Sequence, residues 1–137
     1  EQGLFFVATH QDEETTRERL GRGITWIAED DGKIIGTLTL RQGHPDSDNP
    51  HYRDPNLRIF GQFAIDPAYQ GSGIGRQMLT LAEDHARASG AKAIVCDTSS
   101  QATRLIEMYK RWGYSIFGSV DLDCTNYVSV VLRKDLR

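Results

Sequence analysis

The stretch that most constrains this chain is residues 58–78, where an apolar, strand-like run stops at Asp66-Pro67 and the glycines Gly71, Gly73 and Gly75 lead straight into a helical pattern. Proline has no N–H for a strand ladder and restricts the residue before it, so the strand ends there. Glycine reaches backbone conformations closed to other residues. A strand, a glycine turn and a helix N-terminus together aim N–H groups and the positive end of the helix dipole at one point, which makes an anion site. The spacing is not the dinucleotide fingerprint G-x-G-x-x-G, because the third glycine comes one residue early, and no G-K-[ST] of a P-loop follows. Glycine spacing alone leaves open a turn that merely needs positive φ angles.

The surrounding sequence supplies the context. Residues 9–22 are expected to be helical, since Thr9 with Asp12 resembles a capping pair and Gly21 and Gly23 follow. Strands at 24–29 and 33–40 are joined by Asp30-Asp31-Gly32, a hairpin signal. Residues 41–56 hold three of the four prolines among Asp and His and read as a long polar loop. Beyond the glycines, Ile74, Met78, Leu81, Ala82 and Ala86 recur at helical spacing up to Gly90. A short strand at 93–96 precedes a helix capped by Ser99 or Ser100, with Leu105, Met108, Tyr109 and Trp112 on one face and Gly113 at its end. Strands at 114–120 and 127–132, joined by a turn at 123–126, close the chain. The expected order is α-β-β-β-α-β-α-β-β. A meander ahead of the glycine loop excludes a doubly wound sheet.

With 137 residues the chain is expected to be one domain, residues 1–137. A net charge of −3, without clustered Lys or Arg, argues against nucleic acid as partner. No apolar run approaches the roughly 20 residues of a membrane span, and no secretory signal is read, so a cytoplasmic location is expected. Cys96 and Cys124 stand in no metal-ligand spacing, and no metal is expected; reduced thiols fit, and the sequence leaves a disulfide open.

Gln70-Gly71-Ser72-Gly73-Ile74-Gly75 resembles the [QR]-x-x-G-x-[GA] pyrophosphate loop of the GNAT superfamily of N-acetyltransferases, led in by Phe63-Ala64-Ile65-Asp66-Pro67. Further on, Met108-Tyr109-Lys110-Arg111-Trp112-Gly113-Tyr114 is similar to that family's "LYxKxGF" helix end. The resemblance covers residues 24–136. It implies an α/β fold with a GNAT-like mixed central sheet, an antiparallel meander followed by splayed parallel strands flanked by helices. The family places a strand and two helices ahead of the 24–29 strand, so the resemblance implies an N-terminal part that is truncated or unusually short.

By that resemblance, acetyl-CoA is the co-substrate and lies where the 58–65 and 93–96 strands part. Backbone groups of Phe63, Ala64 and Ile65 would pair with its pantetheine arm. The loop from Gln70 through Gly71, Ser72, Gly73, Ile74 and Gly75 would take the pyrophosphate, with Arg76 at its edge. Tyr109 would be the general acid beside the thioester sulfur, a phenol of ordinary pKa about 10 that can protonate a departing thiolate. The competing reading of Tyr109 is a core aromatic.

Three departures from the family stand out. The strand before the loop carries no carboxylate; Gln62 can only orient a water or a substrate group, which leaves proton removal to solvent or to the loop's His44, Asp46, Asp48, His51 and Asp54. Ala102 stands where an asparagine often touches the cofactor. The third is the short N-terminal part. His85 reads as a half-buried helix residue, Cys96 as a buried filler, and Asp97 and Thr98 as cleft lining without chemistry. The expected function is transfer of the acetyl group from acetyl-CoA to a primary amine of a small molecule or peptide, through a ternary complex and with a homodimer implied by the family; the alternative is a non-catalytic acyl-CoA-binding sensor.

Overall fold

The computed structural model describes residues 4–10, 23–120 and 128–136. The strands among them are β1 (Leu4–His10), β2 (Gly23–Asp30), β3 (Lys33–Gln42), β4 (Leu57–Ile65), β5 (Ala93–Ser99), β6 (Ser115–Val120) and β7 (Ser129–Asp135). They form one sheet in the order β1-β2-β3-β4-β5-β7-β6, accompanied by helices α1 (Ile74–Ala88) and α2 (Thr103–Arg111). The β4–β5 pair is parallel and the others antiparallel, which is the mixed sheet the sequence implied.

The N-terminal segment departs from expectation. Thr9 and His10, read as the start of a helix, instead close β1 and pair with Thr25 and Ile24 of β2. An apolar run entering a β-branched residue suits a strand against an existing edge better than a helix start. The rest of that expected helix, residues 11–22, lies outside the described residues, as do the turn at 123–126 and Cys124. The closing strand is shifted to Ser129–Asp135 and lies between β5 and β6, so it offers no free edge to a second copy.

Alternation along the strands divides the sheet into two faces. Ala28, Leu38 and Phe60 face α1 and α2 and pack with Met78, Leu79, Ala82, Ile94, Cys96, Ile106 and Tyr109. On the other face Tyr52, Ile59, Val95 and Val131 form a smaller cluster. The loop after β3 makes that cluster possible by folding back over the sheet, with Gly43 N–H bonded to the Leu57 carbonyl and His44 N–H to the Tyr52 carbonyl. A Cβ at Gly43 would lie 2.0 Å from the Asp54 carbonyl oxygen, so only glycine fits that closure.

Glu83 sits on the buried side of α1 and is 3% exposed. Its carboxylate accepts from the Tyr114 hydroxyl at 2.8 Å and meets Lys134 Nζ at 3.3 Å and Arg76 at 3.4 Å. Lys134 Nζ also donates to the Trp112 carbonyl at 3.1 Å. A buried charge is tolerable only with such partners. The cluster ties α1, the end of α2 and β7 together.

Candidate active site

The parallel ladder between β4 and β5 is short: Leu57↔Ala93, Arg58↔Ile94 and Ile59↔Val95. Beyond that last pair β4 stays with β3 as far as Ile65 while β5 stays with β7 as far as Ser99, so the two strands part and leave a cleft. A bulge in β4 shapes its wall. Between Gly61, opposite Thr39, and Ala64, opposite Thr37, β4 has one residue more than β3. Gln62 takes a φ of 49° there, a conformation side chains seldom adopt. Its main-chain oxygen accepts from Thr37 Oγ1 and its side-chain Oε1 from Thr39 Oγ1, both at 2.9 Å. The extra residue brings Phe63 to the helix side, against Phe60 and beside Gly75.

The glycine loop follows at the cleft's outer end. Asp66 caps the turn by accepting from Ala68 N–H at 2.9 Å, and the Tyr69 hydroxyl donates to Asp30 at 2.5 Å. The Gln70 amide donates to the Ile65 carbonyl at 3.1 Å, so this side chain braces the loop against the strand end. Gly71 and Gly73 have φ of 83° and 91°, and a Cβ on either would meet nothing within 4 Å. Glycine is required here by backbone conformation rather than by crowding. Among the described residues, the N–H groups of Gly71, Gly73, Ile74 and Gly75 have no hydrogen-bond partner, and α1 has no side-chain cap. Ser72 differs from its neighbours, because both its N–H and its hydroxyl donate to the Tyr69 carbonyl. Arg76 is drawn along α1: its guanidinium meets Glu83 and lies 5.5 Å from the Trp112 ring centre.

Tyr109 lies on the buried side of α2. Its ring is buried among Phe60, Trp112 and Tyr114, with centres 5.6, 6.0 and 5.9 Å away in edge-to-face contacts. Its carbonyl accepts the N–H groups of Trp112 and Tyr114, both at 3.0 Å, in the turn that Gly113 closes at a φ of 100°. The hydroxyl makes no hydrogen bond to any described residue. Burial first, and the nearby Cys96 second, push this phenol above its ordinary pKa. It therefore keeps its proton throughout the neutral range. The buried line of α2 runs through Ile106 and Tyr109, while Leu105 is exposed, contrary to the expected face. Ala102 is the N-cap of α2 and offers no side-chain bond, whereas the Ser99 hydroxyl accepts from Gln101 N–H at 3.1 Å.

The other sequence candidates separate. Cys96 is 2% exposed and its thiol is pushed up by burial and then by Asp97, as befits a filler. His85 is exposed, edge-on to Trp26 at 5.7 Å, rather than half-buried. In the loop, His51 leans on Phe117 and meets the Ser119 carbonyl on β6, and Asp54 pairs with Lys92 at 2.5 Å, which holds its carboxyl below the usual range together with Asn56 N–H. His44 Nδ1 accepts from Asp46 N–H. None of these is brought to the cleft. Sequence reasoning missed Tyr52, whose buried ring carries a hydroxyl bonded to Asp97 at 2.5 Å. The two lie 45 residues apart, with no local signal linking them. Glu83 did leave a signal, a carboxylate within the apolar stripe of Leu79, Ala82 and Ala86.

The comparisons with known proteins agree with this fold. The model of the acetyltransferase (GNAT) family matches residues 2–114. The S-(2-succino)cysteine N-acetyltransferase of Bacillus subtilis (strain 168) is 31% identical over 137 residues, covering 98% of this chain and 80% of the relative. The S-alkylcysteine N-acetyltransferase of the same organism is 29% identical over 132 residues, covering 94% and 71%. Among solved structures, a Bacillus subtilis acetyltransferase in complex with CoA has a TM-score of 0.73 at 18% identity, covering 98% of this chain and 99% of that one. The chain is an acyltransferase and belongs to the GNAT family of acetyltransferases.

Proposed function

We propose that this protein moves the acetyl group of acetyl-CoA directly to the primary amine of a small molecule, with both substrates bound at once. The observation that carries the reading is the row of unpartnered N–H groups at Gly71, Gly73, Ile74 and Gly75, at the start of α1 and just past the end of β4, which has by then parted from β5; the Tyr109 hydroxyl, bonded to no described residue, would be the acid. Backbone donors at a helix N-terminus suit a pyrophosphate. The free β4 edge at Phe63, Ala64 and Ile65 suits an extended arm carrying amides.

An alkyl ammonium of pKa about 10 must lose a proton before its nitrogen attacks. The nitrogen then adds to the thioester carbonyl, the C–S bond breaks, the second amine proton leaves to solvent, and the thiolate takes a proton from Tyr109, which recovers one from water. Much of the acceleration comes from holding the two reactants together, an effect that can reach about 7–11 kcal/mol. As acceptor, an S-substituted cysteine is favoured, because two relatives carry such acceptors in their names.

The test is thiol release from acetyl-CoA with S-methylcysteine and a panel of simple primary amines. Tyr109→Phe is expected to lower kcat by roughly 10²-fold or more, the scale of general acid catalysis, with CoA affinity unchanged. Unchanged turnover refutes the acid role. Binding of acetyl-CoA without thiol release on any amine refutes direct transfer to a primary amine.

A further inference from the structure

The face of the sheet away from α1 and α2 carries a polar arrangement that no step above uses. Asp97 lies two residues beyond Val95, the last β5 residue paired with β4, and shares the Val95 face. Its Oδ1 accepts from the Tyr52 hydroxyl at 2.5 Å, and Tyr52 is itself 3% exposed among Ile59, Val95 and Val131. This bond fixes the carboxylate while its Oδ2 has no partner among the described residues. Across the gap, two residues beyond Ile59, stands Gly61, where a Cβ would meet nothing within 4 Å. Beside it the Gln62 side chain is oriented by its Oε1 bond to Thr39, which presents its Nε2 as a donor. An opening at the parting of the strands is thus flanked by a fixed anion and an amide donor.

We infer that Asp97, positioned by Tyr52, binds the ammonium group of the acceptor and so selects cationic primary amines, α-amino acids among them. This deepens the function proposed above and rests on it. A primary amine is overwhelmingly protonated at neutral pH, and a carboxylate with one oxygen already fixed offers the other at little further ordering cost. Docked there, the nitrogen stands on the face opposite the helices that flank the cofactor cleft, at the place where the strands open. Its first proton leaves to solvent, which reaches the exposed Asp97, before attack.

The experiment measures steady-state kinetics of wild type, Asp97→Asn and Tyr52→Phe with acetyl-CoA and S-methylcysteine or the best amine of the panel, alongside thermal melts. Asp97→Asn is expected to raise the acceptor KM by about 10-fold or more, the usual effect of removing a charged partner, while the acetyl-CoA KM stays unchanged. Tyr52→Phe keeps the carboxylate, so it lowers the melting temperature but raises the acceptor KM distinctly less. Equal acceptor effects in the two variants would mean that Asp97 only anchors the loop, and an unchanged acceptor KM in Asp97→Asn overturns the inference outright. If Asp97→Asn does not fold, Asp97→Glu, which moves the charge by one methylene, is read the same way. A wild type that releases no thiol with any amine refutes the proposed function, and the acceptor site falls with it; a wild type that turns over normally while Asp97→Asn matches it refutes the acceptor site alone.

Discussion

Replacing Gly73 by alanine separates cofactor binding from folding. Gly73 has a φ of 91° and caps α1 from the left-handed region. A Cβ there collides with nothing, so the penalty is conformational, about 1–2 kcal/mol for an L residue held left-handed. If the chain accepts the strain, stability falls by that amount and the methyl projects into the space where a pyrophosphate would approach. If the chain relaxes instead, the Gly73 and Ile74 N–H groups turn away, and each hydrogen bond to a charged group is worth roughly 1.5–3 kcal/mol. Either route predicts weaker binding of CoA, by about 10- to 100-fold at 1.4 kcal/mol per decade. Gly75→Ala is the control. Gly75 lies within α1 at an ordinary φ, and a Cβ there would stand 3.5 Å from Ile65 and Phe63, an ordinary contact. It should bind CoA like the wild type and gain at most about 1 kcal/mol from helix propensity. Isothermal titration with CoA and thermal melts read both variants. Equal CoA affinity in Gly73→Ala and wild type would refute the assignment of this loop to the pyrophosphate, and a loss in Gly75→Ala as large as in Gly73→Ala would refute the conformational argument.

The buried cluster and the buried thiol give two further expectations. Glu83→Ala strands the Tyr114 hydroxyl in the core and opens a cavity, whereas Lys134 and Arg76, with side chains 22% and 37% exposed, reach water; a loss of about 2–4 kcal/mol is expected in denaturant titration. A loss below 1 kcal/mol would show the cluster to be dispensable. In a Cys124→Ser background, Cys96 should resist a thiol reagent at pH 8 until the protein is unfolded, because burial raises its thiol well above the ordinary range; rapid labelling of the native protein would contradict its place in the core.

Part of this design is legible locally. The Asp31-Gly32 hairpin appears as expected, with φ of 54° and 82°, because that turn needs consecutive positive φ angles and its residues admit them. The glycine loop, the stop at Asp66-Pro67 and the Gly113 helix end are equally local, since each depends on backbone freedom that one or two residues confer. The N-terminal strand was missed because Thr9 and His10 are settled by pairing with β2, a contact about 15 residues away that outweighs a capping-like pair. The place of the last strand between β5 and β6 was not legible for a related reason: strand order within a sheet depends on which neighbours bury which faces, not on position in the chain.

The sequence by itself determined where the strand, the glycine turn and the helix start meet, for those residues are contiguous and their backbone requirements are intrinsic. It also placed Tyr109 at the end of its helix. Only the tertiary structure decided which N–H groups of the loop remain open, that Arg76 turns toward Glu83, and that Tyr52 holds Asp97 where β4 and β5 part. These outcomes rest on groups that meet across strands and layers, where burial and hydrogen-bond pairing act through space, and nothing in the spacing of a single chain records them.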